Sequence, residues 1–389
     1  MPDNTKNSTI IPDILEDQSM DTRGDEISLL ENILKPTTPI THALENTTQA
    51  AGRGIVADID KYLYSNNNDK WSSTSKIDNA TGALFISISN LKNDGEYNLT
   101  FRIDNICSKD IPYGTGKILT FIFSKILHQA YSIEEKRYYK DKIIFTVREL
   151  VETGMYTSVK RARQALDRAL DFITSIKING VFERKTGKKA ETSTINQQLF
   201  PKSKNENYSD TYELTITQEI DWLPLMEYVT TMPPVYWTLK GNATPLFSLI
   251  FDQARRNATH LKNKTKDING KKHKGFEITL SAKLIHEYLI LPLPDDIKPK
   301  TGNTRIIAPI NAAIDSIENS ILDYQKRDKR GNLYFDTEQM KPRGTSIEDW
   351  LKLSKLTVFI CDEWAEPFFE IKRGAQKKIS SSKRKKSPS

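Results

Sequence analysis

Lys160, Arg161 and Gln164 fall within five residues of one another and carry side chains that read the edges of nucleic-acid bases. Arginine pairs two hydrogen bonds with guanine and glutamine pairs two with adenine, each contact worth about 1–3 kcal/mol of discrimination. Arg148, Arg163 and Arg168 surround them at positions suited to phosphate, and Ser158 heads the same run as a helix cap. Lys185, Lys188 and Lys189 follow at a distance suited to a second backbone contact. This chemistry needs a rigid helix that turns one face inward and offers the other to a duplex. An ordinary solvated basic helix has the same composition, so the neighbouring elements carry the distinction.

Those elements are legible. Thr146-Val147-Arg148-Glu149 has capping-box spacing and predicts a short helix through about Glu152. Gly154 breaks it, and Thr157 or Ser158 caps a longer helix running to about Ile176. At about 100° per residue, Val159, Ala162, Leu166, Ala169, Leu170 and Ile173 gather on one side. Lys160, Arg161, Gln164, Asp167, Arg168 and Asp171 gather opposite. Ahead of this pair, KILTFIFSKILHQA (Lys117–Ala130) predicts a buried helix and Ile143–Phe145 a short strand. Behind it, the runs Ile178–Arg184 and Tyr212–Thr217, with a Lys-rich connection, predict a hairpin, the wing of a winged helix-turn-helix.

The order of elements returns about 140 residues later. PLFSLIFDQARRN (Pro245–Asn257) predicts a second apolar-striped helix, Phe276–Thr279 leads into a helix over Ala282–Leu289, and Ile306, Ile310, Ile314, Ile317 and Ile321 mark a further one. Gly331–Phe335 would begin a second wing, and residues 262–275 read as a polar loop. The exposed face of this last helix, Asn311, Asp315, Ser316 and Glu318, is neutral to acidic. Positive charge in this half lies on Arg255, Arg256, Lys271, Lys272, Arg305 and Arg330, which are therefore its candidate DNA contacts. A purely structural or dimerising role for this half fits equally well.

The chain has 389 residues and a formal charge of +7, distributed unevenly. Residues 371–389 hold eight Lys/Arg and no acid, which leaves the rest at −1; residues 111–200 carry +7 and residues 1–60 carry −7. The basic tail around SKRKK suits any polyanion and also resembles a nuclear import signal. Two cysteines, Cys107 and Cys361, exclude a disulfide framework and a cysteine-built zinc site and fit a reducing cytoplasm. No apolar run approaches the length of a membrane span, and residues 1–30 lack the pattern of a leader. His42, His128, His260, His273 and His286 form no ligand-spaced pair, Tyr138-Tyr139 has no metal-binding partner motif, and Gly114-Thr115-Gly116-Lys117 departs from phosphate-loop spacing. Asp362, Glu363 and Glu366 read as surface carboxylates. The expectation is a non-enzymatic protein without cofactor or metal.

From Ile111 to about Phe369 the layout resembles the tandem winged-helix replication initiators of bacterial plasmids and other mobile elements. The residues that carry this are KILTFIFSKILHQA, KDKIIFTVRELVETGMYTSVKRARQALDRALDFITSIKINGVFERK, PLFSLIFDQARRN and FEITLSAKLIHEYL. The resemblance implies binding to repeated sites on double-stranded origin DNA, opening of an adjacent AT-rich segment, recruitment of host helicase or initiator proteins, and a homodimer whose balance with monomer sets affinity. In that family the C-terminal unit often dominates groove contact, whereas here the basic helix belongs to the N-terminal one. The expected fold is α+β, divided into an acidic, mostly disordered arm (1–75) with one short helix near Ile27–Leu34, a β-hairpin extension (76–110), two winged-helix domains (111–225 and 226–372) and a basic disordered tail (373–389). A winged-helix transcriptional repressor, a nickase or recombinase, and a structural interaction protein remain open as alternatives.

Overall fold

An apolar helix, a strand running straight into a second helix, a third helix and two returning strands: the chain takes this course twice. The computed structural model describes residues 33–37, 67–68, 71–78, 83–92, 95–104, 114–132, 137–138, 141–186, 189–198, 200, 203–204, 210–216, 228–289, 291–298, 301–326, 331–342 and 344–374, in an α+β architecture. Strands β1 (Ile33–Thr37), β2 (Asn67–Asn68), β3 (Trp71–Asp78), β4 (Ala83–Lys92) and β5 (Gly95–Ile103) come first. The first pass is α1 (Thr115–Gln129), the short pair β6 (Tyr131–Ser132) and β7 (Arg137–Tyr138), β8 (Lys142–Thr146), α2 (Val147–Glu152), α3 (Val159–Ser175), β9 (Lys177–Thr186), β10 (Lys189–Gln198), β11 (Ser203–Lys204) and β12 (Thr211–Thr215). The second is β13 (Tyr228–Met232), a 3₁₀ turn (Pro234–Thr238), α4 (Ala243–Asn257), β14 (Lys264–Ile268), β15 (Lys271–Ser281), α5 (Ala282–Tyr288), a π turn (Asn303–Ile307) leading into α6 (Ala308–Gln325), β16 (Asn332–Asp336), α7 (Ile347–Leu353) and β17 (Lys355–Cys361). A helix over 366–374 ends the described chain.

The two passes match down to single hydrogen bonds. The first builds a three-stranded antiparallel sheet, β11-β12-β8, and the second a four-stranded one, β16-β17-β15-β14, whose first three strands follow the same order. In each, the strand ends in a hydroxyl that caps the next helix: Thr146 accepts from the Glu149 amide and Ser281 from the Leu284 amide. The first helical amide then reaches across to the residue before the returning strand, Val147 to the Asp210 carbonyl at 2.8 Å and Ala282 to the Ser354 carbonyl at 2.9 Å. The capping box at Thr146–Glu149 is complete, with the Glu149 carboxylate accepting from the Thr146 amide at 3.3 Å.

Helix α1 is buried nearly all round, as its composition requires. Lys125 is buried within it, and its ammonium sits 3.1 Å from Glu149 Oε2. Helix α3 buries Ala162, Leu166, Ala169, Leu170 and Ile173, the expected stripe. Val159 departs from it at 37% exposure, because the first turn projects beyond the core. The open edge of β8 is closed by Gln129, whose amide donates to the Ile144 carbonyl at 3.0 Å and accepts from the Ile144 amide at 3.1 Å.

Three expectations change. The hairpin after α3 pairs β9 with β10 (Lys189↔Thr186 to Gln198↔Lys177), not with Tyr212–Thr217. Tyr212 and Leu214 are buried, so that strand lies beside Ile143 and Phe145 of β8, while the polar β10 shows no apolar alternation to read. Residues 264–281 are a hairpin rather than a loop, turning at Asn269 (φ 53°) and Gly270 (φ 75°), both left-handed. Ile33 and Leu34 belong to a strand rather than a helix: β1 pairs with β13 (Ile33↔Met232 to Thr37↔Tyr228). Residues 27–32 lie outside the described set, as do 375–389 of the tail. The hairpin expected before the first pass is present as β4 and β5, joined across Lys92↔Gly95.

One buried apolar cluster runs from Ile118 to Phe368. The 3₁₀ turn links the passes: Lys117 Nζ donates to the Trp237 carbonyl at 2.9 Å, Tyr236 donates to Thr120 Oγ1 at 3.4 Å, and Trp237 meets Phe121 edge-on at 6.2 Å. Among the described residues no helix is long and apolar enough to cross a membrane.

Lys125→Met leaves the Glu149 carboxylate in the interior without its cation, and unfolding in urea should show a loss of about 3–5 kcal/mol. His286 is buried, with Nε2 donating to the Pro292 carbonyl at 2.9 Å; burial pushes its pKa down, against smaller opposing effects of that hydrogen bond and of Glu287. The unfolded chain therefore takes up a proton that the folded one resists. Stability should fall as pH drops from about 7.5 to about 5.5, and the thermal midpoint of His286→Gln should fall less over that window.

Candidate nucleic-acid interface

The backbone around α3 is fixed from three directions. Gly154, at φ 81°, makes the turn out of α2, and a Cβ there would come within 3.2 Å of Thr238 Cγ2. Ser158 then caps α3 by accepting from the Arg161 amide at 3.4 Å. The buried stripe seats the helix, and two side-chain bonds hold its flank against β12. Tyr212, itself buried, donates to Asp167 Oδ1 at 2.5 Å, and Arg163 forms an ion pair with Asp210. Arg148 of α2 approaches the same Asp210 carboxylate, with Nε at 3.8 Å.

What remains outward is the other face. Lys160, Arg161, Gln164 and Arg168 are exposed on α3, Ser158 is exposed at its head, and Arg148 is exposed on α2. Asp171 lies on the same side, and Val159 adds an apolar group at the first turn. Arg163 differs from the rest. It is half-buried and its guanidinium is engaged by Asp210, so its first task is to hold α3 in place.

The hairpin β9–β10 is part of a six-stranded sheet of order β10-β9-β5-β4-β3-β2, with β5 lying against β9 from Tyr97↔Phe182 to Arg102↔Lys177. Lys185 and Lys189 stand at its turn, opposite Ala190 and Thr186. Lys188 lies outside the described residues. The β9–β10 hairpin is therefore the edge of a larger sheet to which the preceding hairpin contributes.

The second pass presents different chemistry. Arg255 and Arg256 are half-buried in the last turn of α4, where the helix dipole favours cations. Arg305 is exposed in the π turn before α6, and Arg330 lies outside the described residues. Pro309 opens α6 as expected, and the helix exposes Asn311, Asp315 and Glu318. Burial, and then the neighbouring Asp315, raise the Glu318 pKa. Lys271 and Lys272 are exposed where β15 leaves the Asn269-Gly270 turn. Lys272 shares a cleft with Lys264, Lys274, Lys372 and Arg373, four cations that were not among the candidate contacts of the sequence. The Asn-Gly pair flanked by Ile268 and Lys271 was the available signal for this hairpin. Several of these cations already have partners: Lys264 and Lys266 engage Glu277, Arg373 donates to Glu366, and Lys372 donates to the Leu261 carbonyl.

Gly114-Thr115-Gly116-Lys117 is the start of α1, with Gly114 at φ 88° and Lys117 turned onto the Trp237 and Leu239 carbonyls. That leaves no phosphate cradle there. Tyr138 lies in β7, and Tyr139 is outside the described residues.

No family model matches this sequence, and no curated protein matches it. Among solved structures, a crystal structure of RctB domains 2-3 overlays with a TM-score of 0.33 and 9% identity, covering 78% of this chain and 96% of that one. A second, of the selenomethionine derivative of the same two domains, gives 0.37 and 9%, with 81% and 98% covered. Similarity this loose leaves the function to be argued from the residues of this chain.

Tyr212→Phe removes one of the two anchors of α3 without opening a cavity. Urea unfolding should show a loss of about 1–2 kcal/mol; a change below about 0.3 kcal/mol would mean that the bond to Asp167 does not hold the helix.

Proposed function

We propose that this chain is a non-enzymatic, sequence-specific double-stranded DNA-binding protein that initiates replication of a plasmid or mobile element. In this reading the two passes are tandem winged-helix units, and the first inserts α3 into the major groove. The observation that carries it is the exposed N-terminal half of α3, with Lys160, Arg161 and Gln164 on a helix whose opposite face and flank are held by the core and by β12. Base edges are read by the early residues of such a helix, and a rigid helix loses little freedom on binding. Arg161 would take guanine, Gln164 adenine, and the exposed Val159 a thymine methyl. Arg148, Arg168 and the lysines at the turn of β9–β10 would hold phosphates.

The second unit would contribute backbone contacts through Lys271, Lys272 and Arg305 rather than groove reading, because Asp315 and Glu318 on α6 repel a polyanion. Homodimerisation, a helicase partner and a cytoplasmic setting complete the proposal, and rest on the family resemblance of the sequence.

The test begins by selecting a cognate duplex from a random library. In gel-shift titrations against that duplex and a scrambled one, Arg161→Ala/Gln164→Ala should lose at least about tenfold of preference while keeping salt-sensitive nonspecific binding. Undiminished preference in the double variant overturns the assignment. Supplying the protein in trans to an origin fragment that cannot replicate alone tests initiation, and failure there with specific binding intact favours a repressor.

A further inference from the structure

Away from α3, the chain brings three different metal-ligating side chains together from distant parts of the sequence. His273 lies on β15, Cys361 ends β17, and Asp362 follows it, 89 residues from the histidine. An imidazole nitrogen, a thiol sulfur and a carboxylate oxygen lie within 4.8 Å of one another. His273 Nδ1 and Asp362 Oδ2 are 2.6 Å apart. Cys361 is fully buried and His273 is 7% exposed, whereas the Asp362 side chain is 30% exposed.

The surrounding backbone is unusual in two ways that serve this grouping. Asp362 has φ 54°, a left-handed conformation uncommon outside glycine, asparagine and aspartate. Gly275 lets β15 and β17 meet: a Cβ there would lie 2.1 Å from the Ile360 carbonyl oxygen and 2.9 Å from Cys361 Cβ. Beside Asp362 a cleft of about 800 Å³ opens, lined also by Glu363, Glu366, Lys272 and Lys274, which gives small solutes access from one side.

We propose that His273 Nδ1, Cys361 Sγ and Asp362 Oδ2 form a binding site for a thiophilic divalent cation of the zinc class, tying β15 to the end of β17 with the fourth coordination position toward the cleft. Mixed nitrogen, sulfur and oxygen ligands suit zinc, with bonds of about 2.3 Å to sulfur and about 2.0–2.2 Å to nitrogen and oxygen. Two light ligands on a tetrahedral ion stand about 3.3 Å apart, so the His273–Asp362 pair opens by less than about 1 Å on binding. The partly exposed Asp362 has room for that movement. The thiol proton, now directed at the Asn332 carbonyl at 3.5 Å, leaves to solvent, and the imidazole proton that Nδ1 now donates to Asp362 is exchanged to Nε2, which frees the Nδ1 lone pair for the metal. Water or Glu363 would complete the shell. This site is independent of the DNA-binding reading and stands or falls separately.

Cobalt(II) is the probe, added to full-length protein freed of metal by chelator. Binding of one ion per chain with a thiolate-to-cobalt charge-transfer band, displaced by zinc, and a higher thermal midpoint with zinc are expected. Cys361→Ser should abolish the band, Cys107→Ser should keep it, and His273→Gln should weaken binding by more than the about 10–100-fold typical of losing an outer-shell partner. A folded wild-type protein that shows no thiolate band, or a band that survives Cys361→Ser, overturns the proposal. Should Cys361→Ser fail to fold, Asp362→Asn decides: weaker cobalt binding supports the site and unchanged affinity removes it.

Discussion

A lysine ammonium inside an apolar helix has one tolerable arrangement, and the first pass is organised around it. Lys125 is held by the Glu149 carboxylate, and the same carboxylate accepts the Thr146 amide and so closes the start of α2. Withdrawing both charges from water costs several kcal/mol each, and is offset only when partner and hydrogen bonds are all in place. The position at which β8 becomes α2 is therefore tied to a point on α1. From α2 the chain has one short turn, at Gly154, before Ser158 begins α3. The presentation of Arg161 and Gln164 descends from a charge pair buried beneath them.

The repeat shows how one scaffold supports two surfaces. Strand order, capping hydroxyl and the amide bond to the returning strand are common to both passes. The third helices are not: α3 exposes Lys160, Arg161 and Arg168, while α6 exposes Asp315 and Glu318. Shared interior and divergent exterior follow from the different constraints on each, since the interior answers to packing and the outer face only to what approaches it. The passes are also not independent bodies. The 3₁₀ turn seats Tyr236 and Trp237 against α1, and Gly154 needs its missing Cβ because Thr238 of that turn lies close by.

Much of this was legible where the signal is local. The capping box, the Gly154 break, the stripe on α3, the burial of α1 and the acidic face of α6 all depend on residues within a few positions of each other. The strand pairings were not. Tyr212–Thr215 alternates like a wing strand, and nothing nearby says that Phe145, 67 positions earlier, is its neighbour. The hairpin of β14 and β15 did carry a local signal in Asn269-Gly270, obscured by its five lysines. Arg163 looked equal to Arg161, and only Asp210 arriving before β12 distinguishes an anchor from an exposed cation.

The amino-acid sequence by itself determined the main helices of the two passes, which of their faces turn inward and where the positive charge collects, because each is settled by spacing along the chain. Tertiary structure alone decided which strands pair, which cations are already neutralised by acids, and that His273, Cys361 and Asp362 share one small volume. Those outcomes depend on contacts between residues far apart in the chain, whose closure is set by the whole core.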